Sequence, residues 1–406
     1  MSELLSVVHC EGWDPAERKI VGLLPVAVAQ QRDRAGEQYA FCLLEPESRR
    51  VVRVGEICWS AGFARLWHLD SLGRRTRMSE YRVLDGSLFR LRTREWTYTS
   101  PSQPEFAEDA AFVENRYSPD GTSTQIVEPQ GKRGGSMHTQ PTVDPASLFT
   151  AVPSFPDWAS FAEVPSVPLV AEDPAQQSAE PPWRPAVPLG ADGIERAFTP
   201  GSRWRVVDRP IVTEVVEAGT VHLPSGRLIA ADPGLIHDGL KPFETTIAPG
   251  DYRVELGLLR FEDDPSHVRV TAAKLIVSDL PVATWEPALE PGEDPRLLPE
   301  GHFYGFGVDT GTGSFFDAAA LAAFEQILDD DNDDDDEGLL DNVWGARTAV
   351  VPDPSSSATL VAYASGWGDG SYPTWIGRTA TGEVACFVSD MLILRHCTPV
   401  AEEVMS

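Results

Sequence analysis

Apolar and polar residues alternate along most of this chain, in short runs that are separated by turn-forming residues. The alternation is clear in RKIVGLLPVAVAQ, YAFCLLE and RRVVRVGEICW in the first half and in HVRVTAAKLIVSD in the second. A period of two places successive side chains on opposite faces of a strand, and strands of this kind recur roughly every ten residues. The pattern predicts a mainly β protein with two antiparallel β-rich domains, each a sandwich or a partly open barrel, and few helices.

One stretch interrupts the alternation. Residues 165–196, which include PSVPLVAEDPAQQSAEPPWRPAVP, are rich in Pro, Ala and acidic residues and show little periodicity. Such a composition favours a semi-rigid linker over a folded element. The 406 residues also exceed the size at which one hydrophobic core stops growing, about 250–300 residues. We therefore predict an N-terminal domain over 1–164, a Pro-rich linker over 165–196 and a C-terminal domain over 197–406.

One helix is predicted with defined ends, near residues 318–328. Asp317 precedes the sequence AAALAAFEQIL as an N-cap, and the apolar residues of that sequence fall along one stripe. The acidic run 329–337 follows the C-terminus of this helix, where negative charge is unfavourable, so we expect it to form a solvated loop. The run does not have the residue spacing of an EF-hand calcium loop.

The formal net charge is −29, and it is unevenly distributed. Residues 1–165 carry 18 basic and 22 acidic side chains, whereas the rest of the chain carries 15 and 40. A protein binds nucleic acid mainly by neutralising phosphates, so this balance disfavours a nucleic-acid partner. Solubility or a salt-adapted composition explains the acidity without any partner.

Five cysteines, an odd number without a CxxC pair, argue against a disulfide framework and suit a reducing cytoplasm. The opening MSELLSVVHCEGWDPAE does not have the pattern of a signal peptide, and no apolar run approaches the roughly 20 residues that a membrane span needs. The eight histidines form no HxH or HxxxH pair. We expect a cytoplasmic protein that does not enter a membrane and has no metal or other cofactor.

A basic and aromatic stretch in the N-terminal half is a candidate interaction surface. Arg90, Arg92 and Arg94 fall on one face of a regular strand because side chains alternate along it. This face would suit an acidic partner, either another protein or the acidic half of this chain. The alternative is a solvated face on which these arginines form cross-strand pairs with Glu80 and Glu95.

The sequence GWGDGSYPTW is the second candidate site. It groups Trp367, Tyr372 and Trp375 around Asp369. Aromatic faces beside a carboxylate suit a sugar or a cationic group, and a tight turn with buried aromatic flanks is the alternative. Asp309 and Asp317, together with Asp369, are candidate catalytic carboxylates, since paired carboxylates perform acid–base hydrolysis in glycosidases.

Four ordered blocks resemble a bacterial family that is known only as a domain of unknown function. They are VHLPSGRLIAADP, APGDYRVELGL, YGFGVDTGTGSFFD and SGWGDGSYPTWIGRTATGEVACFVSDML. The resemblance covers residues 205–395 and implies a β-rich domain that occurs in bacteria. It implies no activity, substrate or catalytic residue.

These observations favour a non-enzymatic binding or protein-interaction module, of an accessory or immunity type. The expected partner is another protein, with a small ligand or a sugar as the alternative. The alternative function is a hydrolase or carbohydrate-acting enzyme that uses the C-terminal carboxylates. That hypothesis requires Asp309 and Asp369 to lie about 5–9 Å apart across a concave pocket.

Overall fold

The computed structural model describes residues 4–132, 134–332, 338, 340 and 342–400. It divides the chain into two compact units, Met1–Val187 (unit 1) and Pro188–Ser406 (unit 2). The protein is mainly β, with large antiparallel sheets and few helices, which confirms the predicted fold class. Among the described residues, no helix is long and apolar enough to cross a membrane.

Unit 1 is built on one large sheet. Its strands are β1 (Leu5–Asp14), β2 (Lys19–Leu23), β3 (Tyr39–Leu44), β4 (Val51–Cys58), β5 (Phe63–Leu69), β6 (Arg75–Leu84), β7 (Ser87–Thr97), β8 (Ala111–Tyr117), β9 (Ser123–Lys132), β10 (Met137–Thr139), β11 (Phe149–Ala151) and β12 (Leu169–Ala171). The strand order is β10-β9-β8-β7-β6-β5-β4-β3-β1-β12, and β2 and β11 pair with β1 and β7. Neighbours are antiparallel except for β1 and β12, which are parallel.

Both faces of the unit 1 sheet carry apolar clusters. On one face, Phe41 stacks on Trp158 with ring centroids 4.7 Å apart, and both side chains are fully buried. The opposite face carries Val8, Trp67 and Met78, and the β1–β2 hairpin packs against it. The helix α1 (Val26–Ala35) ends at Gly36, whose φ of 72° is the left-handed conformation that glycine adopts at helix ends.

Unit 2 contains three sheets. Its strands are β13 (Arg203–Val206), β14 (Arg209–Leu223), β15 (Leu228–Ala231), β16 (Gly250–Phe261), β17 (Val268–Ile276), β18 (Thr284–Pro287), β19 (Phe306–Val308), β20 (Thr312–Asp317), β21 (Thr348–Pro352), β22 (Thr359–Ala364), β23 (Gly370–Tyr372), β24 (Thr374–Arg378), β25 (Val384–Asp390) and β26 (Cys397–Pro399); its helices are α2 (Leu321–Asn332) and α3 (Asn342–Ala346). The sheet orders are β18-β24-β25-β17-β16-β14-β13-β26, β15-β20-β22-β21 and β19-β23.

The eight-stranded and four-stranded sheets of unit 2 share one hydrophobic core. Leu256 and Phe387 from the larger sheet and Phe315 and Val361 from the smaller one are fully buried in the same cluster. Phe324 of α2 joins this core. The strands β20, β22 and β25 are buried at nearly every position, so both of their faces are covered.

Two segments differ in detail from the elements that the sequence predicts. Residues 318–320 form a 3₁₀ turn, so α2 begins at Leu321, and it continues to Asn332 through the first part of the predicted acidic loop. Residues 333–337 of that loop lie outside the described residues. Within the predicted linker, Leu169–Ala171 form β12, because their backbone pairs with β1.

Candidate functional site

The three arginines of β7 do not share one face. A β-bulge shifts the β6–β7 register so that Arg92 pairs with Glu80 while Arg90 pairs with Tyr81. Paired residues project from the same face of a sheet and sequence neighbours from opposite faces. Arg90 therefore lies on the opposite face from Arg92 and Arg94, contrary to the prediction. The bulge breaks the regular alternation on which that prediction depended.

Carboxylates within the sheet already bind Arg92 and Arg94. The guanidinium of Arg92 donates to Glu80 at 2.8 and 3.1 Å, and Arg82 donates to the same carboxylate at 2.6 Å. Arg94 donates to Glu114 at 3.0 Å. Burial alone would raise the pKa of Glu80, but Arg92 and Arg82 hold that pKa below its usual value. The arrangement matches the alternative of cross-strand ion pairs rather than a free basic surface.

Glu95, the other expected partner, pairs with Arg77 instead. The distance between Arg77 Nε and Glu95 Oε1 is 3.2 Å.

Asp317 is a buried structural carboxylate. It accepts hydrogen bonds from the backbone N–H groups of Ser225, Gly226 and Ala319, at 2.8, 3.1 and 2.7 Å, and from the Ser225 hydroxyl at 2.6 Å. Its side chain is fully buried. These donors occupy the acceptor positions that a substrate or water would need. Asp317 therefore joins the β14–β15 turn to the start of the 3₁₀ turn and is not available for catalysis.

A second buried carboxylate, Asp232, performs the same role at the other end of the β15–β20 pair. It accepts hydrogen bonds from the backbone N–H groups of Gly234, Asp309 and Thr310, at 2.9, 2.8 and 2.8 Å, and from the Thr310 hydroxyl at 2.5 Å. Asp232 is not among the site residues predicted from the sequence. The sequence feature that could have identified it is its position directly after an apolar strand, in Asp-Pro-Gly.

Asp309 and Asp369 are neighbours at the end of the β19–β23 ladder. The last pair in that ladder is Val308 with Gly370, and each aspartate is one residue beyond it. Both aspartates are exposed to solvent. The structure thus brings these two candidates together and places Asp317 elsewhere. An exposed pair lacks the water-excluding surroundings in which a general acid works.

The aromatic residues of GWGDGSYPTW do not form one ligand-binding face. Trp375 is 2% exposed and packs in a small cluster with Ala272 and Val388. Tyr372 is 6% exposed, whereas Trp367 is 53% exposed. Trp367 is therefore the only member of this group that can contact a ligand without rearrangement.

Tyr372 positions the turn that carries Trp367. Its hydroxyl donates to the carbonyl oxygens of Gly368 and Ser365, at 2.8 and 3.1 Å. Gly366, on the other side of Trp367, has a φ of 65°, and a β-carbon there would lie 2.9 Å from Met391 Cβ. A side chain at this position would have an unfavourable backbone conformation and would also lie too close to Met391. The turn is thus held in one conformation, with the indole of Trp367 displayed at its tip.

Trp367 lies in a cluster of aromatic and cationic side chains. The centre of the Arg269 guanidinium is 5.3 Å from the indole centroid. His267 and Phe261 make edge contacts with the indole at centroid distances of 6.1 and 6.5 Å. We call the four residues Phe261, His267, Arg269 and Trp367 the Trp367 patch.

The patch contains one arginine, Arg269, and the carboxylates of Asp263 and Asp264 act on His267. Among the described residues, no carboxylate lies within 4.0 Å of Arg269. Burial and the neighbouring positive charge of Arg347 lower the pKa of Arg269. The pKa of His267 is also lowered, by burial and then by Arg269 and Arg209. An anion bound here would relieve the repulsion between these cations.

Part of unit 2 matches a known protein family. Residues 221–389 match the family model described as "Protein of unknown function (DUF4241)". The match confirms the resemblance inferred from the four sequence blocks. No curated protein and no solved structure matches this chain.

The DUF4241 match contains the whole Trp367 patch and both buried carboxylates, Asp232 and Asp317. The distinctive blocks of the matched range thus have separate roles in this structure. Two of them, LPSGRLIAADP and GVDTGTGSFFD, supply both the carboxylates and the turns that these carboxylates bind. The third, SGWGDGSY, displays Trp367.

Proposed function

We propose that this protein is a non-enzymatic binding module that recognises another protein through the Trp367 patch. The observation that supports this proposal is the half-exposed indole of Trp367, held on a fixed turn beside the guanidinium of Arg269. Tryptophan and arginine are enriched among the residues that supply most of the binding energy at protein interfaces. A turn that is already ordered also lowers the entropic cost of association.

The charge of the patch favours an acidic partner segment. A sugar or a cationic group was the expectation from the sequence, but Arg269 already lies against the indole. A cationic ligand would be repelled by Arg269 and by the nearby Arg347. The proposed partner therefore presents a carboxylate next to an apolar or aromatic side chain, so that the carboxylate reaches Arg269 while the apolar group packs on Trp367.

We propose that this recognition takes place in the bacterial cytoplasm, in an accessory or immunity-type role. The family resemblance supports a bacterial origin. The five cysteines support a reducing compartment, because all five are free thiols. Cys10 and Cys42 remain unbonded although their sulfur atoms are 3.8 Å apart.

A randomised peptide library displayed on phage tests the proposal. It is selected on the wild-type protein and, in parallel, on a variant with Trp367→Ala and Arg269→Glu. We expect the wild-type protein to enrich peptides with Asp or Glu beside an aromatic or aliphatic residue, and the variant not to enrich them. The matched control is Arg205→Gln, which removes an exposed arginine of unit 2 outside the patch. No enrichment, or equal enrichment on the double variant, would refute the proposal.

The hydrolase hypothesis is retained as the second candidate because Asp309 and Asp369 lie at the same end of the β19–β23 ladder. A panel of nitrophenyl glycosides and esters tests it directly. Under the binding proposal, the wild-type protein and Asp309→Asn both show only the background rate of hydrolysis. Turnover by the wild-type protein that Asp309→Asn or Asp369→Asn abolishes would establish the enzyme instead.

A further inference from the structure

Unit 1 contains an open cleft of about 670 Å³. It lies beside the sheet face that carries Val8 and Val51, and its walls come from the β1–β2 hairpin, the β3–β4 turn, the β5–β6 turn and the segment after β12. Small-molecule sites typically have volumes of about 300–1,000 Å³. The cleft therefore has the size of a ligand site, and the proposed function of the Trp367 patch does not involve it.

The floor of the cleft is apolar. Val8 and Val51 are 3% and 6% exposed, and Trp13, Ile20 and Leu23 of the β1–β2 hairpin pack against the same cluster. Val8 and Val51 themselves have little surface in contact with water, so a ligand with an apolar body would cover mainly the partly exposed side chains of Trp13, Ile20 and Leu23. Burial of that kind supplies roughly 25 cal/mol per Å² of apolar area.

The walls of the cleft carry an excess of positive charge. The described residues that line it include four cations and one carboxylate: Arg18, Lys19, Arg49, Arg50 and Glu172. Glu172 forms a bidentate ion pair with Arg49, and Glu45 binds Arg50.

The two cations of the hairpin are less well paired. In the part of the chain that the structure describes, the carboxylate that pairs with Lys19 is that of Glu17, at 4.0 Å, and both side chains are more than half exposed. Among the described residues, no carboxylate lies within that distance of Arg18. An anionic ligand can therefore form ion pairs with Arg18 and Lys19.

Arg18 has a backbone conformation that is unusual for a residue other than glycine. Its φ is 48°, in the left-handed region that costs a non-glycine residue about 1 kcal/mol. Glycine would adopt the same conformation without that cost. The Arg18 side chain extends across Gly73 of the β5–β6 turn, where a β-carbon would lie 3.4 Å from Arg18 Cδ. It thus reaches from the tip of the hairpin to the opposite wall of the cleft.

We propose that this cleft binds a small organic anion, in which a carboxylate or phosphate group is attached to an apolar body. The anionic group pairs with Arg18 and Lys19, and the apolar body lies on Trp13, Ile20 and Leu23 above the buried Val8 and Val51. The site is separate from the Trp367 patch, so either proposal can fail without the other.

Calorimetric titration of the full chain with defined probes tests the site. The probes are naphthoate, naphthyl phosphate, the neutral isostere naphthamide, and inorganic phosphate. We expect naphthoate or naphthyl phosphate to bind at least about tenfold more tightly than naphthamide, because a charge-assisted hydrogen bond is lost with the neutral probe. The tighter of the two anions identifies the preferred acid group. Inorganic phosphate alone should bind weakly, because it buries no apolar surface.

The variant Arg18→Gly separates a binding role from a structural one. We expect it to weaken binding of the preferred anion roughly tenfold or more while its unfolding midpoint is no lower than that of the wild type. Arg34→Gln, which removes an exposed arginine of α1 outside the cleft, should leave the affinity unchanged. A second variant, Leu72→Glu, places a carboxylate on a partly exposed wall residue and should also weaken binding. Equal affinity for naphthoate, naphthyl phosphate and naphthamide, or unchanged binding by Arg18→Gly, would overturn the proposal.

Discussion

Glu80 is a fully buried carboxylate between Arg82 and Arg92, which are themselves only 5% and 6% exposed. Buried ion pairs contribute little net stability when intact, because desolvation of the charges offsets their attraction. Removing one partner is different, since it leaves a buried charge without compensation. At the residue scale, these arginines belong to the structure of the sheet and are not a surface for a partner.

We predict that Glu80→Gln lowers the free energy of unfolding by about 3–5 kcal/mol, because two buried guanidiniums then lose the carboxylate that they share. Denaturant unfolding measures the change. The matched control is Glu95→Gln on the neighbouring strand, which breaks an ion pair with Arg77 whose glutamate side chain is 52% exposed. That loss should be below about 1 kcal/mol. Equal effects of the two substitutions would contradict this account of the network.

His9 is the second residue with a defined prediction. It is fully buried among aromatic rings in unit 1, and burial lowers its pKa from 6.5 to about 4. Between these two values the unfolded chain binds a proton that the folded chain does not. The contribution of His9 to stability is therefore complete above about pH 6.5 and is lost as the pH falls, by up to ~3 kcal/mol near pH 4.

Denaturant unfolding at about pH 7.5 and about pH 5 measures this effect. We expect the wild-type protein to lose about 2 kcal/mol more between the two pH values than His9→Gln, which has no titrating group at this position. The comparison with the variant removes the contribution of the other titrating groups. The same pH dependence in both proteins would show that His9 is not buried in its neutral form.

At the scale of elements, Asp232 and Asp317 fix the two ends of the β15–β20 pair by binding the backbone of turns that are distant in sequence. Asp317→Ala should lower the free energy of unfolding by about 2–4 kcal/mol, because several buried donors lose their acceptor. Asp309→Ala, which removes an exposed side chain and keeps the backbone donor, should cost less than about 0.5 kcal/mol. Denaturant unfolding distinguishes the two, and a large effect at Asp309 would contradict the assigned roles.

The Tyr372 hydroxyl is predicted to be a positioning group for Trp367. Tyr372→Phe removes the donor for the carbonyl oxygens of Ser365 and Gly368, at a cost of about 1 kcal/mol in stability. We also expect the affinity for a selected acidic peptide to fall several-fold. Tyr252→Phe is the matched control, because the Tyr252 hydroxyl binds a carbonyl oxygen of a different turn in unit 2. Tyr252→Phe should lower stability by a similar amount and leave the peptide affinity unchanged. If Tyr252→Phe weakened peptide binding as much as Tyr372→Phe does, Tyr372 would have no specific role.

Local patterns predicted the elements better than the site. Two-residue alternation predicted the β class, and the sequence blocks predicted the family match, because both signals lie within short segments. The bulge that places Arg90 and Arg92 on opposite faces is not visible in the alternating pattern of the sequence. Local sequence predicted Asp317 as an N-cap, and its hydrogen bond with Ala319 is of that kind. Its other partners, Ser225 and Gly226, lie about 90 residues away in the sequence, so local sequence did not predict them. The burial of Trp375 also depends on a partner outside its own segment, since Trp375 pairs with Val388 of β25.

At the scale of the whole molecule, the local distribution of charge says more about the partners of this chain than the net charge does. The chain has a formal net charge of −29, yet the Trp367 patch in the acidic half contains Arg269, and three arginines and a lysine line the cleft in unit 1. A strongly acidic protein repels most anionic molecules at long range. Cationic side chains at two local sites on such a chain therefore favour recognition of particular anionic groups over general attraction. We propose above all that Arg269 and Trp367 together bind a carboxylate that is attached to an apolar segment.

A double-mutant cycle measures that claim most directly. A peptide selected on the wild-type protein is compared with a version in which its acidic residue is replaced by Lys, each against the wild-type protein and Arg269→Glu. We predict a coupling energy of at least about 1 kcal/mol, with Arg269→Glu preferring the Lys peptide, because the charge preference belongs to this one pair. A coupling energy indistinguishable from zero would contradict the proposed recognition by the Trp367 patch.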